Sequence, residues 1–304
     1  MGLGSGGPRG VGSGPAALVT LELPLNAWSL LLASPPASLW LPAEVVVGAP
    51  PLAVGPAGAV VEVLDAGLLV DWGLGVLAAP AAPALVRAIG MAVMQGLHQA
   101  PEAAGSFARV RRFSALLVAQ VQEDRLRFRE VLAGVPPERD ARSRAVRTAV
   151  LAVGLGRQRG LAPASLEQLA LAGLCLDVGQ TLLPPDAPRE LRERHPHLSV
   201  DLLAAHGGLG PVARAGVAGH HERIDGSGHP LGLRGEDVPL GARLLGLCDR
   251  YAGLTQPPVV GPARPGYAAL AALRRLEGAG FDGRLFAELE ALLARRDASW
   301  SPTP

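Results

Sequence analysis

Residues 220–255 read HHERIDGSGHPLGLRGEDVPLGARLLGLCDRYAGLT. The stretch opens on two vicinal histidines near the end of a helix expected over 211–223. It closes on a helix expected over 239–254 that carries Asp249 among apolar neighbours. Adjacent residues on a helix point about 100° apart, so His220 and His221 border one cavity when other helices cover it. A carboxylate in an apolar helical stretch is costly to bury without a partner or a cation, and Asp177 in LCLDVGQ poses the same problem as Asp249. Imidazoles suit Zn, Fe, Ni and Mn-type ions, while carboxylates bridge ions or hold harder ones. Together with His195, these residues form an inward-facing nitrogen and oxygen set: Asp177, His195, His220, His221 and Asp249. His197 follows a helix-start region and His206 precedes Gly-Gly at a helix end, so both are read as structural. Cys175 and Cys248 are read as small buried apolar groups.

Outward from this stretch the pattern is helical in both directions. Apolar residues recur at helical spacing over 84–99, 105–133, 139–156, 197–206, 266–278 and 282–296. A further helix is expected to start at Ser165, whose partner Gln168 completes a capping-box pattern, and to run to about Val178. Toward the N-terminus the texture changes. Residues 1–14 are a Gly/Ser tail, read as disordered. Over 15–82, short Val/Leu-rich runs (LVTLEL, AEVVVGA, GAVVEVL and GLLVDWG) alternate with Gly and Pro, which predicts a small β-rich module of no evident chemistry. The fold class expected is therefore α+β: a β-rich N-terminal module followed by an all-α domain over 84–298.

Composition narrows the function. Lys+Arg 28 against Asp+Glu 27 leaves a net charge of +1, which argues against a nucleic-acid polymer held by bulk charge. Two cysteines make no disulfide framework and suit a reducing compartment. The apolar stretch from Asn26 to Pro42 is interrupted by prolines and lacks the ~20 uninterrupted apolar residues of a spanning helix. No signal pattern opens the chain. A cytoplasmic protein without a membrane span is expected.

The block from His220 to Thr255 resembles, almost position by position, the signature of the HD-GYP family, metal-dependent phosphohydrolases of the HD superfamily. Many of them hydrolyse the bacterial second messenger cyclic di-GMP. The HHE, DGSG-x-P, GL-x-GE-x-x-P and AR-LL-x-x-x-D pieces occur in order and at the family's spacing. Upstream, LAGLCLDVGQTLLP resembles the His-Asp-x-Gly-Lys segment, His195-Pro196 resembles the family's His-Pro helix start, and GFDGRLF resembles its C-terminal element. The resemblance covers about residues 100–295 and implies a helical domain that binds a divalent metal such as Fe or Mn, with a cyclic dinucleotide as ligand. Arg223 and Arg243 stand at family positions from which they would reach the substrate.

The departures fall on the chemistry. The His of the name-giving pair is Leu176, the family's earlier His aligns with Arg142 in DARSRAV, the phosphate-contacting Lys is Gln180, and the Tyr of Gly-Tyr-Pro is His229. Ala252 replaces a second acid, and QPPVV stands where phosphate-binding cations would. By the resemblance, one metal position has lost both imidazoles, while the other survives as Asp177, His195, His220 and His221. Arg142 is expected to place a cation where the lost metal would sit. The implied protein holds at most one ion, is catalytically impaired, and serves as a signalling or regulatory module with a protein partner. The alternative is an active phosphodiesterase with a reduced metal site.

Overall fold

The structure, a computed structural model, describes residues 38–40, 60–62, 83–121, 125–207, 209–258 and 262–294. The helices of the described residues run in the order α1 (Pro83–Gln99), α2 (Ala104–Val121), α3 (Arg125–Gly134), α4 (Ala141–Gln158), α5 (Pro163–Cys175), the single turn α6 (Arg189–Arg192), α7 (His195–Ala205), α8 (Pro211–Gly219), α9 (Leu240–Thr255), α10 (Gly266–Glu277) and α11 (Gly283–Leu293). Three short 3-10 segments, Val178–Leu182, Gly235–Asp237 and Gly278–Gly280, link them.

The axis of the domain is α4. Every residue from Val146 to Gly156 is buried, as expected of a helix that is apolar on all faces. It packs against α1, α2, α3, α5, α9 and α11. Its start is fixed by Asp140, whose carboxylate accepts a hydrogen bond from the Arg142 backbone N–H at 2.7 Å, which satisfies one of the open donors of the first turn. The buried Arg147 on α4 donates to the Leu132 and Val135 carbonyls at the end of α3. The cation is thereby paired with the open acceptors of a neighbouring helix terminus.

The fold class requires correction. Among the described residues the protein is helical, and no β-rich module is present. Their sheet content is one antiparallel pairing of three-residue strands, β1 (Ser38–Trp40) with β2 (Val60–Glu62), in register Leu39 to Val61. That pairing belongs to a unit separate from the helical one. Val-rich runs between turn residues record only what suits a half-buried pleated surface. A single short pair falls below what an independent sheet needs. Of the four expected runs only part of GAVVEVL is described; the other three, the tail over 1–14 and the Asn26–Pro42 stretch except 38–40 lie outside the described residues. No helix among the described residues is long and apolar enough to cross a membrane.

Several helix boundaries also differ from expectation: the helix expected over 211–223 ends at Gly219, so His220 and His221 stand just past it. α5 starts at Pro163, with Ala162 as its N-cap and no side-chain cap, so the Ser165–Gln168 pattern is not a capping box. Proline at the first position, where its missing N–H is no loss, makes the start instead. α5 ends at Cys175, which leaves Asp177 outside any α-helix, at the head of the 178–182 turn. The long helix expected over 105–133 is two helices, with 122–124 outside the described residues.

Helix α9 lies unusually close beneath the vicinal histidines. A Cβ added at Gly246 would stand 2.5 Å from the His220 carbonyl oxygen, so Gly246→Ala must push α9 away from the His220 backbone. Overpacking of this kind costs about 1–3 kcal/mol. Gly96, in the last turn of α1, has nothing within 4 Å of such a Cβ, so Gly96→Ala should stabilise by up to about 0.5–1 kcal/mol through helix propensity. Urea unfolding of the two variants is expected to move the midpoint in opposite directions.

Candidate metal centre

Four side chains converge at the ends of three segments. His195 is the first residue of α7, His220 is the residue that ends α8, His221 follows it, and Asp177 heads the 178–182 turn. One ligand atom from each lies within 4.8 Å of all the others. The His195 Nε2 is 2.9 Å from Asp177 Oδ1, 3.4 Å from His220 Nε2 and 3.3 Å from His221 Nε2. His195 and His220 are buried, and Asp177 and His221 are partly so.

Backbone carbonyls orient the rings. His195 Nδ1 donates to the Arg192 carbonyl at 2.7 Å, and His220 Nδ1 donates to the Val217 carbonyl at 2.8 Å. A carbonyl only accepts, so each Nδ1 carries the proton, and in the neutral imidazole the Nε2 presents a lone pair. The His195 and His220 Nε2 lone pairs, facing one another at 3.4 Å, repel unless a proton or a cation lies between them. Ring orientation by a hydrogen bond on the far nitrogen is how imidazole ligands are held for metals. The donor set, three nitrogens and one carboxylate oxygen, suits a divalent transition ion.

The electrostatics agree with a cation-seeking site. Burial alone would raise the Asp177 carboxyl, yet the hydrogen bond from His195, the neighbouring His220 imidazole and the charge of Arg144 hold it well below the usual carboxylate range. Burial would lower the His195 imidazole, but Asp177 takes it above its ordinary value. His221 is pushed down to about 2 by burial and by the neighbouring imidazoles His220, His195 and His229. A cation in this pocket would replace the proton shared by Asp177 and His195.

Three buried residues outside the expected ligand set, Ser199, Gly179 and Glu222, hold it in place. Ser199, on α7, accepts a hydrogen bond from the Gly179 N–H at 2.8 Å and donates to the Leu176 carbonyl at 2.9 Å. It thereby ties the Asp177 turn to the helix that carries His195. Gly179 is required for the approach: a Cβ there would stand 2.4 Å from the His195 carbonyl oxygen. The carboxylate of Glu222 accepts from the backbone N–H groups of Leu231 (2.7 Å) and Leu233 (2.9 Å) and so folds the loop after the histidine pair. The signal available for these roles was weak: a Gly two residues beyond Asp177, and an acid directly following the pair.

The remaining expected residues fall as follows. Asp249 is not in the converging set; both of its oxygens are taken by Arg144, Nε to Oδ1 at 2.7 Å and Nη2 to Oδ2. Arg142, the residue expected to reach this region, instead grips Asp140 and donates to Gln95 Oε1 at 2.8 Å. The cation against Asp249 is thus Arg144, two residues further along α4. Arg223 donates to the His220 and Glu222 carbonyls, with its guanidinium 4.5 Å from the Phe281 ring centroid. Arg243 is shared between Glu236 and Asp282. Leu176 is buried, and Gln180 donates its side-chain amide to Asp177 Oδ1 at 2.9 Å. His229 stacks on His221, centroids 4.6 Å apart. His98, on α1, also lies in the field of Asp177; burial, then Arg142, lowers its pKa.

The profile of the HD domain matches residues 128–285. The chain is 31% identical over 153 residues to a cyclic di-GMP phosphodiesterase of Pseudomonas aeruginosa, covering 46% of this chain and 36% of that protein. To the cyclic di-GMP phosphodiesterase response regulator RpfG of Xanthomonas campestris pv. campestris it is 33% identical over 153 residues, covering 47% and 40%. To a 3'3'-cGAMP-specific phosphodiesterase of Vibrio cholerae it is 32% identical over 120 residues, covering 36% and 28%. The chain therefore matches less than half the length of each of these relatives. Among solved structures, an HDG"Y"P protein from Bdellovibrio bacteriovorus shares the fold at a TM-score of 0.60, with 15% identity over 74% of this chain and 78% of that one. With more than half of its residues matched, including every element that brings the His/Asp cluster together, the chain belongs to the HD domain family, within its HD-GYP group.

Proposed function

We propose that this protein is a diverged HD-GYP domain that holds one divalent ion, binds a cyclic dinucleotide phosphodiester at it, and turns it over poorly, acting as a regulatory module toward a protein partner. The observation that carries the reading is the convergence of Asp177, His195, His220 and His221, with the Nδ1 atoms of His195 and His220 tied to backbone carbonyls. These residues would hold the ion. When bound, a divalent ion supplies Lewis-acid polarisation of a phosphoryl oxygen and acidifies water. The chain's own residues orient and position: the Arg192 and Val217 carbonyls aim two imidazoles, Ser199 fixes the Asp177 turn, and Gln180 offers the carboxylate an amide rather than offering a phosphate a charge.

The same residues account for weak turnover. A neutral amide at Gln180 in place of an ammonium loses a charge-assisted contact of roughly 1.5–3 kcal/mol. The arginines at family positions are committed elsewhere: Arg223 to carbonyls and the face of Phe281, Arg243 to Glu236 and Asp282. Several such losses together lower a rate by thousands-fold.

The test is to load the full chain with Mn(II), count the ions and titrate cyclic di-GMP by calorimetry while following its conversion to linear product. One ion per chain, dinucleotide binding and no product over hours is the expected result. Rapid product release would instead support an active phosphodiesterase. Mn(II) at a hundredfold excess over its Kd should stabilise the fold by about 2.7 kcal/mol, as a Tm rise that EDTA and His220→Ala both abolish. Ser199→Ala removes two buried hydrogen bonds without touching a ligand atom. It should cost about 1–3 kcal/mol of stability and weaken Mn(II) binding about 10–100-fold, whereas an unchanged Mn(II) affinity would separate Ser199 from the site.

A further inference from the structure

Asp249 and Arg144 lie beside the centre without belonging to it. Asp249, on α9, is almost fully buried, its side chain 8% exposed, and Arg144 closes on both of its oxygens in the two-pronged geometry that guanidinium and carboxylate favour. Among the described residues, both hydrogen bonds of Arg144 go to Asp249, and its Nη1 takes part in neither. The Arg144 side chain is 30% exposed. One helical turn beyond Asp249, Gly253 lies under the guanidinium: a Cβ there would be in ordinary contact, 3.6 Å from the Arg144 Cζ and Nε. The same cation acts on Asp177, the carboxylate of the His/Asp cluster. Arg142 is excluded from this role by its pairing with Asp140 and Gln95.

We infer that Arg144 takes the place of a second metal ion: the centre is built for one divalent cation at Asp177, His195, His220 and His221, with a permanent guanidinium on Asp249 beside it. This rests on the one-ion reading above and adds the residue that enforces it. A divalent ion bound to Asp249 would have to displace a cation that already satisfies both carboxylate oxygens, and it would meet uncompensated positive charge at close range. The exchange has a chemical consequence. A guanidinium attracts a phosphate oxygen as an ion does, through donors in a fixed plane. Unlike a metal, it cannot acidify water. With Nε and Nη2 committed to Asp249, Arg144 has its Nη1 edge left to offer a phosphate oxygen, so the exchange keeps a cation at this position while removing one source of activated water.

The experiment counts ions rather than turnover. Wild type, Arg144→His and Arg144→Gln, each as the 304-residue chain, are loaded with Mn(II), checked for native helicity by circular dichroism, and analysed for bound metal. Wild type is expected to hold one ion and Arg144→His two, because the change frees Asp249 and adds an imidazole. Arg144→Gln, which frees Asp249 without adding a ligand, should take up a weaker second ion. One ion in wild type and in both folded variants would overturn the inference and leave the one-ion centre standing. No ion in wild type overturns the one-ion reading and the inference with it. Should the variants fail to fold, Mn(II) electron paramagnetic resonance of wild type decides. A mononuclear signal that does not become spin-coupled at excess Mn(II) supports the inference, and a spin-coupled pair overturns it.

Discussion

Three imidazole nitrogens and a carboxylate oxygen within 4.8 Å of one another favour positive charge among them, and much of the surrounding structure maintains that arrangement. Carbonyls at the end of α8 and just ahead of α7 fix the protons of two rings on their far side, so the near nitrogens have nothing to offer each other. Ser199 and the close approach at Gly179 press the carboxylate turn onto α7. Gly246 lets α9 come up beneath the His220 carbonyl. The buried axis α4 holds the surrounding helices in register.

Beside this cluster sits an ion pair of a different kind. Arg144 and Asp249 satisfy each other, and Leu176 fills with apolar volume a position beside the turn. A buried ion pair is weak evidence for added stability, because desolvation offsets much of its attraction. Breaking one partner is the costly event, since it strands the other charge. A pair of this kind keeps a cation near Asp177 whether or not a metal ion is bound.

Much of this was legible in the sequence, and the failures have physical causes. Helical periodicity placed most helices to within a few residues but ran α2 and α3 together, and the vicinal histidines, His195 and Asp177 could be grouped because buried polar groups must find one another. Asp249 was grouped with them for the same reason, but its partner is 105 residues away in sequence and leaves no local trace. Arg142 and Arg144 differ by two positions, which on a helix is about 200°. Only the packing of α4 decides which of them faces α9 and which faces Asp140. The Ser165 cap lost to Pro163 because a proline start needs no side-chain oxygen. The β-rich reading over 15–82 rested on local apolar runs between turn residues, without the long-range pairings that make a sheet.

The ligands stand at helix ends rather than along one helix face, and this governs how the centre comes into being. A pair of ligands spaced i, i+4 on a single helix exists as soon as that helix forms. Here the span from Asp177 to His221 must close with α7 docked between, and α9 must seat under the His220 carbonyl. Closing contacts so distant in sequence is entropically late work. The centre is therefore a readout of completed tertiary structure, absent from any isolated helix and present only when separate parts of the chain have met.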